Sequence, residues 1–591
     1  MMRADETLKR YFLEELDYLR EESVRFAGDF PEVAHELSLN REKATDPQVE
    51  MMLQSFAYLT GKLRYQMDLD DALLPNQLLA ALCPHLEAPW PAASVVQFDV
   101  PKGGQRITRN TPLSAEINLR GEHQPCRFIT RHDTDAWPLK VSDVAMTPLT
   151  RLADIPLNRL QRDTQSVLRV TINSTDQQPI SALALNALTF YLNGSDRFRL
   201  HELLCGHLSG VLLADPDSGA QKMLDADQLS FGGLHSDDAL LPGEVSVNPG
   251  LPLLREYFLF PDKFLFGTLK GLGEFVAGET LELYFLLNRP CAAPHHDSFQ
   301  LNCAPVINLF RQAIEPIPLR AGRLEYTATG DQFRHAQVEV HSLIELNCLQ
   351  PDGKVQPLQP LYGERNSEFG YWVARREPSQ LPSVPGTELH LRFLDQAYQP
   401  EWAPGASVIG RAWCTNRMLP DQLPLDQPLQ LDRPGAVQQA RLLKRPSRHS
   451  SPALTGDQSR RLVAQLNSYY LPMSNDEGGL DSLRQLLSQH ALEQQPDAMR
   501  QLNGLLQLRC RMIGHRVGKD AWKGYCHGTE MELRIDPVQF DRTSVMLFGQ
   551  VLSECLAHFV PLNSFVQLKL CDGDGELIHK WPARTGQQCL L

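Results

Sequence analysis

The stretch YFLEELDYLREESVRFAGDFPEVA, Tyr11 to Ala34, is charged at almost every other position yet carries a regular apolar seam. Phe12, Leu16, Leu19, Phe26 and Phe30 follow the alternating four- and three-residue spacing of one helix face, interrupted only at Ser23. The stripe is narrow and the rest of the surface is dense with Glu, Asp and Arg, so such a helix buries one seam and solvates the remainder. Periodicity alone leaves two occupants for the seam, its own domain or a partner chain. Further on, TDPQVEMMLQSFAYLTGKLRYQMD offers a second start signal. Asp46 can cap the free backbone N–H groups, and Pro47 takes the first helical position, where no N–H is needed. Val49, Leu53, Phe56, Leu59 and Leu63 then repeat an apolar face, and PNQLLAALCPHL, from Pro75 to Pro84, reads as a third helix.

From Val95 the pattern changes to short alternating runs with many prolines. SVVQFDV, LTFYLNG, TLELYFLLN and LHLRFLD have strand length and β-forming residues, and the forty-two prolines disfavour long helices among them. Between Leu419 and Arg460 proline and small polar residues cluster as in a linker. Beyond it, TSVMLFGQVLSECLAHFV places Leu547, Val551, Cys555 and Phe559 on one helix face, and Ser564 to Trp581 reads as a hairpin. The expected fold is α+β, with four domains: a helical bundle or coiled-coil arm over 1–92, β-rich domains over 93–290 and 291–435, and a mixed α+β domain over 436–591.

Composition narrows the function. With 57 basic against 71 acidic residues the net charge is −14, which works against a phosphate-neutralising surface, so nucleic acid is not an expected partner. No run approaches the roughly 20 apolar residues of a membrane helix, and the start has no signal-peptide core. The twelve cysteines show no CxxC pair, and free, mostly buried thiols in a cytoplasmic protein are expected.

Candidate chemistry fails on spacing. DGDGELIHKWPA opens like a calcium loop at Asp572 and Asp574, but Leu577 stands where the turn glycine belongs and Ala583 where the last carboxylate belongs. His35–Glu36 and His201–Glu202 lack a second histidine at zinc-helix spacing. His295, His296 and Asp297 could hold a metal, but adjacent side chains on an extended segment point in opposite directions, which favours a solvated loop. FGTLKGLGEF lacks the ending of a phosphate loop, and no G-x-S-x-G elbow is present. No catalytic residue, metal or cofactor is therefore assigned. LLREYFLFPDKFLFGTLKGL and CTNRMLP surround no recognisable reaction centre, which favours a structural part.

YFLEELDYLREESVRFAGDFPEVAHEL, DPQVEMMLQSFAYLTGKLRYQMD and LLAALCPHLEAPWPAASVVQF resemble the TssF family, also called VasA or ImpG, of bacterial type VI secretion systems. The likeness continues in order through LLREYFLFPDKFLFGTLKGL, VINLFRQAIEPIPL and CTNRMLP to KWPARTGQQCLL. It implies a non-enzymatic baseplate wedge that assembles with TssG, two copies of this chain to one, and with TssK, TssE and other baseplate and spike components. On the resulting baseplate the contractile sheath and inner tube polymerise. Such a baseplate docks at the inner face of the inner membrane, so any membrane contact is indirect. Under this resemblance the residues Phe12, Leu16, Leu19, Phe26, Phe30, Val49, Leu53, Phe56 and Leu63 become a partner-binding seam, and Leu547, Val551, Cys555 and Phe559 a self-association contact between wedges. A wedge of a phage-like tail and a β-rich carbohydrate-active enzyme are the rival readings.

Overall fold

The computed structural model describes the chain apart from residues 1–3, 37–45, 72–75, 79–86, 153–162, 243–249, 363–368, 453–477, 492–495, 517–524, 587–591 and positions 120, 184, 274, 380, 382, 383, 385, 401, 434 and 563. Helix makes up 28% and strand 39%, in separate stretches, so the α+β expectation holds. Most of the third helix expected from Pro75 to Pro84 lies outside the described residues. The described cysteines form no disulfide, and most are buried.

The chain divides into two compact units, each assembled from separated segments. The first takes in Met1–Trp90, Arg311–Met418 and His449–Asn467, and the second Pro91–Phe310, Leu419–Arg448 and Ser468–Leu591.

The first unit begins with α1 (Ala4–Asp29), α2 (Pro31–Glu36) and α3 (Pro47–Asp71). Asp46 does cap α3: its Oδ1 accepts from the Gln48 N–H at 2.8 Å, with Pro47 beside it. An eight-stranded mixed sheet follows, in which Glu339–Leu349 pairs with Ser407–Thr415 on one side and Val355–Pro360 on the other. Where that central strand begins, Glu339 is buried and accepts from the Thr387 N–H and hydroxyl at 2.7 and 2.6 Å. His449 Nε2 lies 2.9 Å from the same carboxylate. Arg417, of CTNRMLP, sits beside it in a left-handed conformation (φ 51°) and donates Nε to the carbonyls of His335 and Val338 at 3.2 and 3.3 Å. Burial alone would raise the Glu339 pKa, yet His449 and Arg417 hold it down to about 2. Only glycine fits at 386, where φ is +108° and a Cβ would stand 2.8 Å from Arg417 Nη1.

The second unit is built on a closed six-stranded barrel, ordered Ala93–Asp99, Cys303–Ile307, Glu122–Thr130, Pro112–Leu119, Pro428–Leu431 and Gln439–Leu442. Phe98, Phe128, Val96, Val306 and Leu442 are among the residues that fill it. Two of its strands come from the proline-rich stretch read as a linker. Val96 pairs with Leu442 and Asp99 with Gln439, so this stretch returns to close the sheet. A five-stranded sheet centres on Thr280–Leu287, whose near-continuous apolar run is buried on both faces.

Around these sheets stand α4 (Arg197–Gly206), α5 (Gly250–Leu259), α6 (Gly478–His490), α7 (Pro496–Asn503) and α8 (Val545–Ala557). The expected hairpin is present as Phe565–Cys571 and Leu577–Lys580. Its turn explains the calcium-like spelling: Asp572 Oδ1 accepts from the N–H groups of Asp574 and Glu576 at 3.1 and 2.8 Å, and Gly575 takes φ +92°.

His201 of α4 is fully buried with its Nδ1 3.2 Å from Ser544 Oγ, and burial pushes its pKa down to about 3. His490 is likewise pushed down to about 3, by burial and then by Arg255. Both are neutral when folded, whereas an unfolded histidine takes a proton below about pH 6.5. The stability they contribute is complete above that value and is lost as pH falls toward about 3. The melting temperature should therefore drop between about pH 6.5 and pH 4, and pH-resolved melts of His201→Gln should give a shallower slope than the parent chain. An unchanged slope contradicts the assignment.

Candidate partner-binding surface

α1 and α3 pack against one another as an antiparallel pair. Tyr11 OH donates to Asp68 Oδ2 at 3.1 Å near one end, Arg64 Nη1 to Glu15 Oε1 at 2.8 Å, and Arg20 Nη2 to Glu50 Oε1 at 2.8 Å toward the other. The buried seam between them consists of Tyr11, Leu16, Glu50, Ala57 and Gly61. Ala57 and Gly61, four apart, allow close approach: a Cβ on Gly61 would stand 3.0 Å from the Phe12 nitrogen. Glycine inside a helix costs up to about 1 kcal/mol against alanine, and the contact it permits offsets that. Buried Glu50 accepts from Arg20 and, at 3.0 Å, from Gln54.

On the opposite side of α3 lies a second apolar stripe, exposed along its length. Met52, Phe56, Leu59, Leu63 and Met67 fall within an arc of about 80° at ~100° per residue, and the stripe runs about 22 Å along the helix. All five are between 56% and 68% exposed. Soluble chains rarely leave such a continuous apolar row in water, and a row of this kind marks an interaction surface. α1 adds exposed Leu13, Tyr18 and Phe26. Phe26 packs at a tilt against Phe30, just beyond the helix, with ring centroids 5.2 Å apart.

The nine residues expected to form one seam are thus divided by the structure. Leu16 is buried inside the helix pair; Phe12, Leu19, Val49 and Leu53 are half-buried at its margins; Phe26, Phe30, Phe56 and Leu63 are exposed. The periodicity marked one face per helix, whereas α3 carries two. The inner one was missed because its residues are small, although the Ala57/Gly61 pair is a readable signal. Met52 and Met67 escaped notice because methionine is weakly marked in any pattern.

The four carboxy-terminal residues are placed differently. Leu547, Val551 and Cys555 are 1% exposed and Phe559 7%, all within the core of the second unit. Except at Gln550, α8 is buried throughout, with α4, α5 and the strand Phe565–Cys571 against it. Its residue Gly549 lies so close to Trp581 that a Cβ would fall 2.1 Å from the ring. Its side chains are apolar nearly all round, so they close a core and leave no area for a neighbouring subunit.

Two β-rich units, the first carrying a helix pair with an uncovered apolar row, have the make-up of a scaffold subunit. Comparison with known proteins defines which scaffold. A family profile described as "Type VI secretion system, TssF" matches residues 4–588, and the chain belongs to that family. It is 30% identical to "Type VI secretion system component TssF1" of Pseudomonas aeruginosa, over 98% of this chain and 99% of that protein. Its fold matches a chain of a cryo-electron microscopy TssK-TssF-TssG baseplate subcomplex with a TM-score of 0.74 at 22% identity, over 91% of this chain and 99% of the other. It also matches a chain of a type VI secretion baseplate complex with a TM-score of 0.64 at 21% identity, over 98% and 100%. These matches do not favour the virion or carbohydrate-active readings. Among the described residues no helix is long and apolar enough to cross a membrane.

The two faces of the helix pair should respond oppositely in the isolated protein. Leu16→Ala leaves a cavity between α1 and α3 and should cost about 2–5 kcal/mol of the pair's local stability, seen as faster amide exchange in both helices. Phe56→Ser with Leu63→Ser should leave that exchange within about 0.5 kcal/mol of the parent. Equal losses from both faces would mean that the outer stripe is buried in the free chain.

Proposed function

We propose that this protein is a structural, non-catalytic wedge subunit of a type VI secretion baseplate, and that the outer stripe of α3, with Phe26 and Phe30, is its site for TssG. The observation that carries the reading is the uncovered row Met52, Phe56, Leu59, Leu63 and Met67 on a chain of the TssF family. The two fold matches support it, one being a chain of a TssK-TssF-TssG baseplate subcomplex and the other a chain of a type VI secretion baseplate complex. Completing the burial of five such side chains contributes on the order of 5–10 kcal/mol before association costs, so the stripe is one part of a larger interface. Two copies of this chain flank one TssG in this reading, with TssK and TssE completing the wedge. The assembly lies in the cytoplasm against the inner face of the inner membrane, where sheath and tube grow from it. A contact between wedges uses exposed residues of the carboxy-terminal segment, such as Met512 and Val538, in place of the buried face of α8.

Coexpression with TssG tests this. Phe56→Asp with Leu63→Asp places carboxylates in a surface that must dry on binding, which costs several kcal/mol unless they are paired. Copurification should fall by at least about a hundred-fold while the melting temperature of the isolated variant stays unchanged. Undiminished copurification would remove the α3 stripe from the interface, and mass measurement of the parent complex reads the ratio of two to one.

A further inference from the structure

Between the strands Thr280–Leu287 and Phe299–Leu301 the second unit presents PHHDS, Pro294 to Ser298. On an extended backbone the two histidines would diverge, but this segment is not extended. Ser298 donates its N–H to the His295 carbonyl at 3.0 Å, closing a tight turn. The turn is pinned at both ends. Pro294 and Ser298 are buried, the Asn193 N–H donates to the Ser298 carbonyl at 2.9 Å, and Ser298 Oγ reaches Asp196 at 3.3 Å. Gln300 Nε2 donates to the Asp297 carbonyl at 3.1 Å. The result is that both imidazoles and the carboxylate lie on one side, with ring centroids only 4.1 Å apart.

His295 Nδ1 is 3.7 Å and His296 Nε2 3.2 Å from Asp297 Oδ2, and the three donor atoms all lie within 4.8 Å of one another. Zinc holds nitrogen and oxygen donors at about 2.0–2.1 Å, so the edge of its tetrahedron is about 3.3 Å. The two measured separations bracket that edge, and the third closes on it by small side-chain rotations of exposed groups. The set is chemically suited: two imidazoles and one carboxylate are borderline donors that favour zinc and its first-row neighbours over magnesium or calcium. One competing contact exists. The Asp297 N–H points at His295 Nδ1 at 3.4 Å, a long hydrogen bond to the lone pair a metal would take.

We infer that His295, His296 and Asp297 form an open surface site for one zinc-class divalent cation. Three donors from one turn fill one face of the ion, and the remaining position faces solvent, where water or a donor from a neighbouring chain completes it. All three side chains are exposed, so the ion is not needed for folding, and it exchanges readily. The cysteines of the chain form the obvious competing class of ligand, and the test must separate the two.

Calorimetric titration of the full-length chain with zinc should find one equivalent that the double variant His295→Ala/His296→Ala has lost, and Asp297→Asn should bind it more weakly. The variants change only exposed side chains, so far-UV circular dichroism and melting temperature should match the parent. Cobalt substitution should give ligand-field bands without thiolate charge transfer, and those bands should vanish in the double variant. Retention of the equivalent by the double variant, a cobalt spectrum dominated by thiolate absorption, or no zinc binding by the parent chain would each overturn the assignment.

Discussion

In the second unit one buried carboxylate ties together pieces that are far apart in the chain. Asp262, just after α5, accepts from the Tyr191 hydroxyl at 2.9 Å and from Arg197 Nε at 2.8 Å, and pairs with Lys444. These partners come from the strand Ala187–Leu192, from the start of α4 and from two residues beyond the last barrel strand. One residue away, buried Lys263 pairs with buried Glu256, which also accepts from the Leu240 N–H at 2.7 Å. Burial would raise the Asp262 pKa, yet Lys444 and Arg197 hold it below the ordinary carboxylate range. Removing Lys263 would leave the buried Glu256 carboxylate without its ion-pair partner, typically at a cost of about 3–5 kcal/mol. The barrel can therefore borrow strands from residues 428–442, because Lys444 anchors their exit. Glu339, with Arg417 and His449, has the same role in the first unit, again joining segments distant in sequence.

These networks account for LLREYFLFPDKF and CTNRMLP, which suggested no chemistry in the sequence. Their charged residues are turned inward and saturated with protein partners, so they hold the fold. Polar burial and apolar exposure are thus separated in this chain. The charges that look functional are in its cores, whereas the apolar residues that look like core are on the outside of α3.

Features whose cause lies within a few residues were legible. The Asp46–Pro47 start of α3, the hairpin ending near Lys580 and its Asp572 turn depend on neighbours along the chain. So did the strand character of TLELYFLLN. What depended on distant pairing was not legible: nothing in PLDQPLQLDRPG announces that it joins a barrel against Pro112–Leu119, more than 300 residues earlier. α8 illustrates a third case. A period of four was read as one face, but its other positions are nearly as apolar, and a helix apolar all round belongs in a core. Of the surface, Phe56, Leu59 and Leu63, three of the five residues in the proposed row on α3, were visible. Its methionines, and the small residues that show which face is taken, became readable only once α1 was in place.

In the proposed interface the outer row of α3 is uncovered in the free chain and covered in the wedge. Its methionines report on this directly. Met52 and Met67 lie on the row at 65% and 68% exposure, while Met51, at 64%, lies off it on the same helix. Hydroxyl-radical footprinting should oxidise all three at similar rates in the isolated protein. In the complex coexpressed with TssG, Met52 and Met67 should be strongly protected and Met51 less so. Equal oxidation of Met52 and Met67 in the free and assembled protein would contradict the account.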